Sequence, residues 1–182
     1  METKLLVRRA VPDDLDAAVQ VITEVTQWLA SRDIPWLLDF PGPFPERIAQ
    51  GEVYLAYLND WQTLAGTISL SRKPDPEFWA DYPGQARYIH RLAVRRKYAN
   101  QGIGAALLDL AGHLTAMEGV PWLRLDCNKD NGALQNYYIR HGFQHVDTIN
   151  LPHRISGALF QKTSRLLSKI EELPDDRFEL PL

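Results

Sequence analysis

The stretch that most constrains this chain runs from Arg87 to Met117. Here a strand-like alternation ending in Leu92, Ala93 and Val94 passes through a basic connection into two glycines and a helix. Arg87 to Val94 predicts a strand. Ile103, Leu107, Leu110, Leu114 and Met117 recur at helical spacing, with Gly119 and Pro121 to stop the helix. Between strand and helix stand Arg95, Arg96 and Lys97, then Asn100, Gln101, Gly102, Ile103 and Gly104. The first turn of a helix leaves amide N–H groups without intrahelical partners, and glycine lets a ligand approach the backbone with no Cβ in the way. The stretch therefore predicts a cradle for a nucleotide-like phosphate, with Arg95, Arg96 and Lys97 adding positive potential. The plainer alternative is a pair of glycines that merely permits a tight turn. A dinucleotide fingerprint would need a third glycine where Leu107 stands, and no Gly-Lys-Ser or Gly-Lys-Thr follows, so neither of those phosphate motifs is present.

Around this stretch the pattern alternates strands and helices. Lys4 to Arg9 predicts an opening strand, and Pro12, Asp13 and Asp14 begin a helix whose buried stripe is Ala18, Val19, Ile22, Val25 and Leu29. Asp33 to Pro45 is too rich in proline for a long helix and predicts an irregular loop, followed by a short helix from Glu46 to Gln50. Val53 to Leu58 and Thr63 to Ser71 flank turn residues and predict an antiparallel hairpin. Lys73 to Ala86 reads as a long excursion. Trp122 to Cys127 predicts a strand. A helix capped by Asp130 or Asn131 follows, with Leu134, Tyr137 and Tyr138 inward and Gly142 at its end. Phe143 to Ile149 and Ser156 to Lys162 complete the set as strands.

Composition narrows the partners. With 20 Lys and Arg against 23 Asp and Glu, the net charge of −3 supplies no basic field for nucleic acid. At 45% hydrophobic and 24% charged residues, 182 residues suit one soluble domain, read as 1–170, with an acidic, proline-bearing peripheral tail at 171–182. The one cysteine, Cys127, forms no internal disulfide, and five scattered His show no zinc spacing, so no metal is expected. A cytoplasmic setting is expected, because the apolar run Leu5 to Val7 is too short for a signal peptide or membrane span.

Ala99 to Gly104, placed after a Leu-Ala-Val strand, resembles the acetyl-CoA signature [R/Q]-x-x-G-x-[G/A] of the GNAT superfamily of N-acetyltransferases. It departs at the first position, where Ala99 replaces Arg or Gln and removes one side-chain contact. Asn131, Tyr138 seven residues later, and Gly142-Phe143 resemble the superfamily's second element. The order of elements is similar over about residues 4 to 162. The resemblance implies an α/β fold of the α+β type, a mixed, mostly antiparallel central sheet flanked by helices. It implies acetyl-CoA as cosubstrate, with no metal, and direct N-acetylation of a small amine or exposed amino group in a ternary complex. A catalytically inactive CoA-binding sensor of the same fold is the alternative, and a homodimer is expected by resemblance.

The same resemblance implies that Leu92, Ala93 and Val94 hold the pantetheine arm, that Asn100, Gln101, Gly102, Ile103, Gly104 and Ala105 bind the pyrophosphate, and that Asn131 holds the arm from the other side. Tyr138 matches the family's acid, which protonates the departing thiolate; a phenol is a donor at neutral pH. Where some members carry a glutamate base this chain has Tyr88. By the period of two, Tyr88, His90 and Leu92 share one strand face, and His90 is the candidate base. Cys127 offers a covalent alternative, against which stands its reading as a small buried hydrophobe. Asp126 is open between a substrate carboxylate and a salt-bridge partner. Two segments mixing aromatics with carboxylates, Trp36 to Phe44 with Asp39 and Glu77 to Tyr82 with Asp81, are candidate walls for a cationic acceptor or, alternatively, loop-packing clusters.

Overall fold

Runs of β-branched and aromatic residues broken by turn residues give nine strands in the computed structural model, which describes residues 3–36, 42–82 and 84–182. The strands are β1 (Lys4–Arg9), β2 (Val53–Leu58), β3 (Leu64–Ser71), β4 (Ala86–Val94), β5 (Trp122–Asn128), β6 (Gln144–Thr148), β7 (Ser156–Thr163), β8 (Glu171–Leu173) and β9 (Arg177–Pro181). The helices are α1 (Leu15–Ala30), α2 (Phe44–Ala49), α3 (Pro76–Trp79), α4 (Ile103–Met117) and α5 (Gly132–Arg140). Hydrogen bonding orders the strands β6-β7-β5-β4-β3-β2-β1-β9-β8. This is the mixed, mostly antiparallel sheet with flanking helices that the resemblance implies, and β4 pairs β5 in parallel. Among the described residues no helix is long and apolar enough to cross a membrane.

The chain divides into two compact units, Met1–Leu70 with Arg91–Leu110 and Leu167–Leu182, and Ser71–His90 with Ala111–Leu166. In the first unit β1 pairs β2, and β2 pairs β3, antiparallel. The turn Pro12–Asp14 is 3-10, and α1 follows it, laying Ala18, Val21 and Ile22 against Leu6, Val53, Leu55 and Tyr57. Each fully buried Val, Leu or Ile among them contributes about 1.5–3 kcal/mol. Residues 171–182 are not a peripheral tail. β9 pairs antiparallel with β1, and Phe178 and Leu180 are buried because alternate residues of that strand face inward.

The second unit is built on β5, with β4 beside it in parallel and β7 antiparallel on its other side. The predicted excursion from Lys73 to Ala86 contains α3, because Asp75 caps its start by accepting from the Glu77 amide at 3.0 Å. Phe78 and Trp79 pack with Tyr88 and Leu159. The predicted helical stripe runs true in α4 from Ile103 to Leu114, but Met117 is 47% exposed, in the last turn.

Gly157 opens β7 with φ +153, and a Cβ there would lie 2.2 Å from the Ile149 carbonyl oxygen. Gly157→Ala must displace backbone, so it is expected to cost about 1–3 kcal/mol, as overpacked interiors do. A thermal midpoint lowered by several degrees checks it.

Candidate active site

In the first unit the predicted strand does not alternate to its end. Arg91 adopts φ +48, a left-handed conformation rare for a non-glycine residue, so the period of two holds through His90 and is reset there. Leu92 therefore does not share a face with Tyr88 and His90 by residue counting. Beyond the break, Gly66 of β3 lies so near that a Cβ would come within 2.8 Å of the Ala93 carbonyl oxygen, and the Arg95 amide donates to the Ala65 carbonyl at 2.8 Å. Leu92 to Val94 are thereby held against β3. The Arg91 guanidinium stands over the Phe44 ring, 5.7 Å from its centroid.

The connection then forms a 3-10 turn at Arg96–Tyr98, with Asn100 at φ +63 and Gly102 at φ +81. The buried Ile103 anchors the start of α4, and the Ala106 amide donates to the Gly102 carbonyl at 2.9 Å, so the amides before it lack helical acceptors. Gly102 is exposed, and a Cβ on it would meet only Leu182 within 4 Å, at 3.9 Å. Amides without helical acceptors beside an exposed glycine are the kind of backbone that a pyrophosphate would meet.

The basic triplet is engaged elsewhere. Arg95 pairs with Glu24 at 3.3 Å and donates to Gln20 at 2.9 Å, Arg96 stacks 3.7 Å above Trp28, and Lys97 lies over Tyr98. Glu24 on α1 offsets the Arg95 charge, while Arg96 and Lys97 are stacked on neutral rings and keep theirs.

In the second unit the buried Tyr138 ring meets Tyr137 and Phe143 at 5.7 Å and Phe160 at 6.1 Å. Burial, then nearby Cys127, Tyr137 and Asp126, raise its phenol above the ordinary value, so it remains a proton donor. Cys127 is buried, and burial with Asp126 pushes its thiol up to about 12. It sits as the small hydrophobe of the sequence reading, because a thiolate is required for a nucleophile. The Asn131 side-chain oxygen caps α5 by accepting from the Leu134 amide at 3.0 Å. Tyr138 is the buried residue of α5; Leu134 and Tyr137 are half-buried. Tyr88 is buried, and His90, half-buried, is the residue after the last β4–β5 pair, Ile89↔Leu125.

The two candidate acceptor walls fare differently. Residues 37–41, and with them Asp39, lie outside the described residues. In the other wall Phe78 and Trp79 are core, Glu77 pairs with His153 at 2.6 Å and with Arg154, Tyr82 donates to Asp147 at 2.7 Å, and Asp81 is exposed. Asp126, which sequence reasoning left unassigned, is largely enclosed. A carboxylate between Leu125 and Cys127 in a buried strand is the sequence signal that marks it.

Comparison with known proteins decides the family. The family model described as "Acetyltransferase (GNAT) family" matches residues 22–143. The chain belongs to the GNAT acetyltransferase family. It is 30% identical over 148 residues to the uncharacterized N-acetyltransferase YesJ of Bacillus subtilis, covering 74% of this chain and 79% of that protein. Among solved structures, a GNAT-family acetyltransferase from Listeria monocytogenes is similar at TM-score 0.76 and 27% identity, over 87% of this chain and 94% of that one. The fold is also that of the PaiA N-acetyltransferase from Thermoplasma acidophilum, solved in complex with coenzyme A, at TM-score 0.62 and 19% identity, over 87% and 98% of the chains. As a GNAT enzyme this protein is an acetyl-CoA-dependent acyltransferase, and amines are the family's general acceptors. Among the described residues no group of His, Cys, Asp and Glu could hold a metal ion.

Proposed function

We propose that this GNAT enzyme acetylates a primary amine of a small molecule, or an exposed amino group, by direct transfer with both substrates bound. The observation that carries the reading is the Tyr138 phenol, buried on α5 among Tyr137, Phe143 and Phe160, where burial favours its protonated form, as it does for the buried Cys127 thiol. The pair offers a proton to a leaving group and no nucleophile for a covalent acetyl-enzyme.

Acetyl-CoA supplies the activated acetyl thioester. Leu92, Ala93 and Val94 hold its pantetheine arm through backbone groups, and Asn100, Gln101, Gly102, Ile103, Gly104 and Ala105 surround the pyrophosphate, whose charge the amides at the start of α4 offset. Asn131 has its side-chain nitrogen left for the arm, since its oxygen caps α5. A backbone amide near Leu92 donates to the developing oxyanion, and Tyr138 delivers its proton to sulfur. His90 is the base suggested by the sequence.

The test is release of CoA thiol from acetyl-CoA with spermidine, kanamycin and a lysine-containing peptide as probes. Amine-dependent release is expected. Acetyl-CoA binding without release in any of the three would instead support the sensor reading of the fold.

A further inference from the structure

Resting on that reading, we propose that Asp126 is the proton acceptor that turns the acceptor's ammonium into the attacking amine. The β4–β5 register includes Tyr88↔Arg124 and runs to Ile89↔Leu125. His90 and Asp126 are the next residues of these two parallel strands. Each lies two positions beyond the Tyr88↔Arg124 pair, so both share its face. A second register identifies the same face: Asp126 stands opposite Leu159 of β7, and Leu159 packs with Phe78, Trp79 and Tyr88. Tyr138 lies on the other side, against Phe160, which stands opposite Leu125. Asp126 and Tyr138 thus flank the end of β5 from opposite faces.

The charges around Asp126 favour this role. Ser156 donates a hydrogen bond to its carboxylate, Asp75 repels it, and Arg154 attracts it. Arg154 is shared, however: it pairs with Asp75 at 2.6 Å and with Glu77, and its guanidinium lies 4.4 Å from the Phe78 centroid. Three carboxylates therefore draw on one guanidinium. Glu77 also engages His153, and the Lys129 ammonium donates to the Arg154 carbonyl at 2.6 Å. On its own strand Arg124 stands over Trp79, 5.2 Å from the ring centroid. Burial above all, then Asp75, holds the Asp126 carboxyl above the ordinary carboxylate range, which makes its ionised form a stronger base than a solvated carboxylate. As a whole residue Asp126 is half-buried, whereas its strand neighbours Leu125 and Cys127 are buried.

The protons balance. One passes from the ammonium nitrogen to Asp126 and on to water. The neutral amine then forms the C–N bond as the C–S bond breaks. Tyr138 protonates the sulfur and is refilled, through solvent, by the second proton shed by the new amide nitrogen.

The test compares kcat/KM against pH for wild type, Asp126→Asn and His90→Gln, with spermidine, kanamycin and the lysine peptide, alongside thermal midpoints and acetyl-CoA affinity. Asn preserves an acceptor for Ser156, so fold and cofactor affinity are expected to hold. The Asn variant is expected to lose roughly 10²–10⁴-fold at neutral pH, the usual contribution of a general base. It should regain rate as pH rises and free amine accumulates. An equal loss at every pH would make Asp126 structural and overturn the proposal, as would a profile that changes only in His90→Gln. Wild-type enzyme that releases CoA with none of the amines would overturn the transfer reading, and the role of Asp126 with it.

Discussion

Tyr138→Phe is expected to lower kcat by roughly 10²–10⁴-fold, the range for loss of a positioned general acid, while acetyl-CoA affinity stays close to wild type. The substitution removes one oxygen from a ring otherwise surrounded by Tyr137, Phe143 and Phe160, so the packing that holds α5 in place is retained. At 8% exposure, and with burial and the neighbouring Cys127, Tyr137 and Asp126 all disfavouring the phenolate, the hydroxyl stays protonated up to and beyond the ordinary phenol value of about 10. Tyr138 consequently adds no alkaline limb to the pH–rate profile below that value; it acts as a donor throughout. Steady-state release of CoA thiol and calorimetric titration with acetyl-CoA together check the prediction. Unchanged turnover in the Phe variant would remove Tyr138 from the acid role, and a parallel loss of affinity and turnover would make it a packing residue.

The second large effect concerns the glycine loop. Gly102 sits at φ +81 with open space where a side chain would be. Changing Gly102 and Gly104 together to Val therefore strains the loop by about 1–3 kcal/mol at the left-handed position and places branched side chains where the backbone must be approached. The branched side chains obstruct approach to the backbone, so acetyl-CoA binding is expected to weaken at least about tenfold, about 1.4 kcal/mol. Gly119→Val is the matched control. Gly119 ends the helical run at φ +69, also with nothing within 4 Å of the added Cβ, so it carries the left-handed strain without the proposed phosphate contact. Titration calorimetry should find binding weakened in the double variant and preserved in the control. Equal binding by all three proteins would leave the loop as scaffold alone.

Asp126 bears on both results. If it accepts the first proton and Tyr138 delivers the last, Tyr138→Phe should slow turnover without moving the acidic limb, and Asp126→Asn should move that limb while the phenol still serves sulfur. The two variants separate the ends of the reaction because their side chains stand on opposite faces of one strand.

What was legible in the chain follows from interaction range. The Asn131 cap is a local device, since an oxygen at the start of a helix meets an amide three residues on. The hairpin of β2 and β3, the stripe of α1 and the glycine-opened start of α4 likewise arise from neighbours within a few residues, so periodicity and turn chemistry reveal them. Met117 departs from the predicted stripe, since helical spacing alone does not say how far a covering element extends. The C-terminal strands escape local pattern because β9 gains its partner from β1, at the opposite end of the sequence.

The resemblance to the family, the order of most elements and the candidate residues at 100–105 and Tyr138 were readable in the chain, since each depends on motif spacing or local conformational preference. Tertiary structure alone decided that Arg91 turns left-handed and interrupts the strand face, that the basic triplet engages α1 and the turn, and that Asp126 is enclosed beside Asp75 and a shared Arg154. Those outcomes depend on strand register and on pairs of charges dozens of residues apart, and no short-range pattern encodes which distant group will be the neighbour.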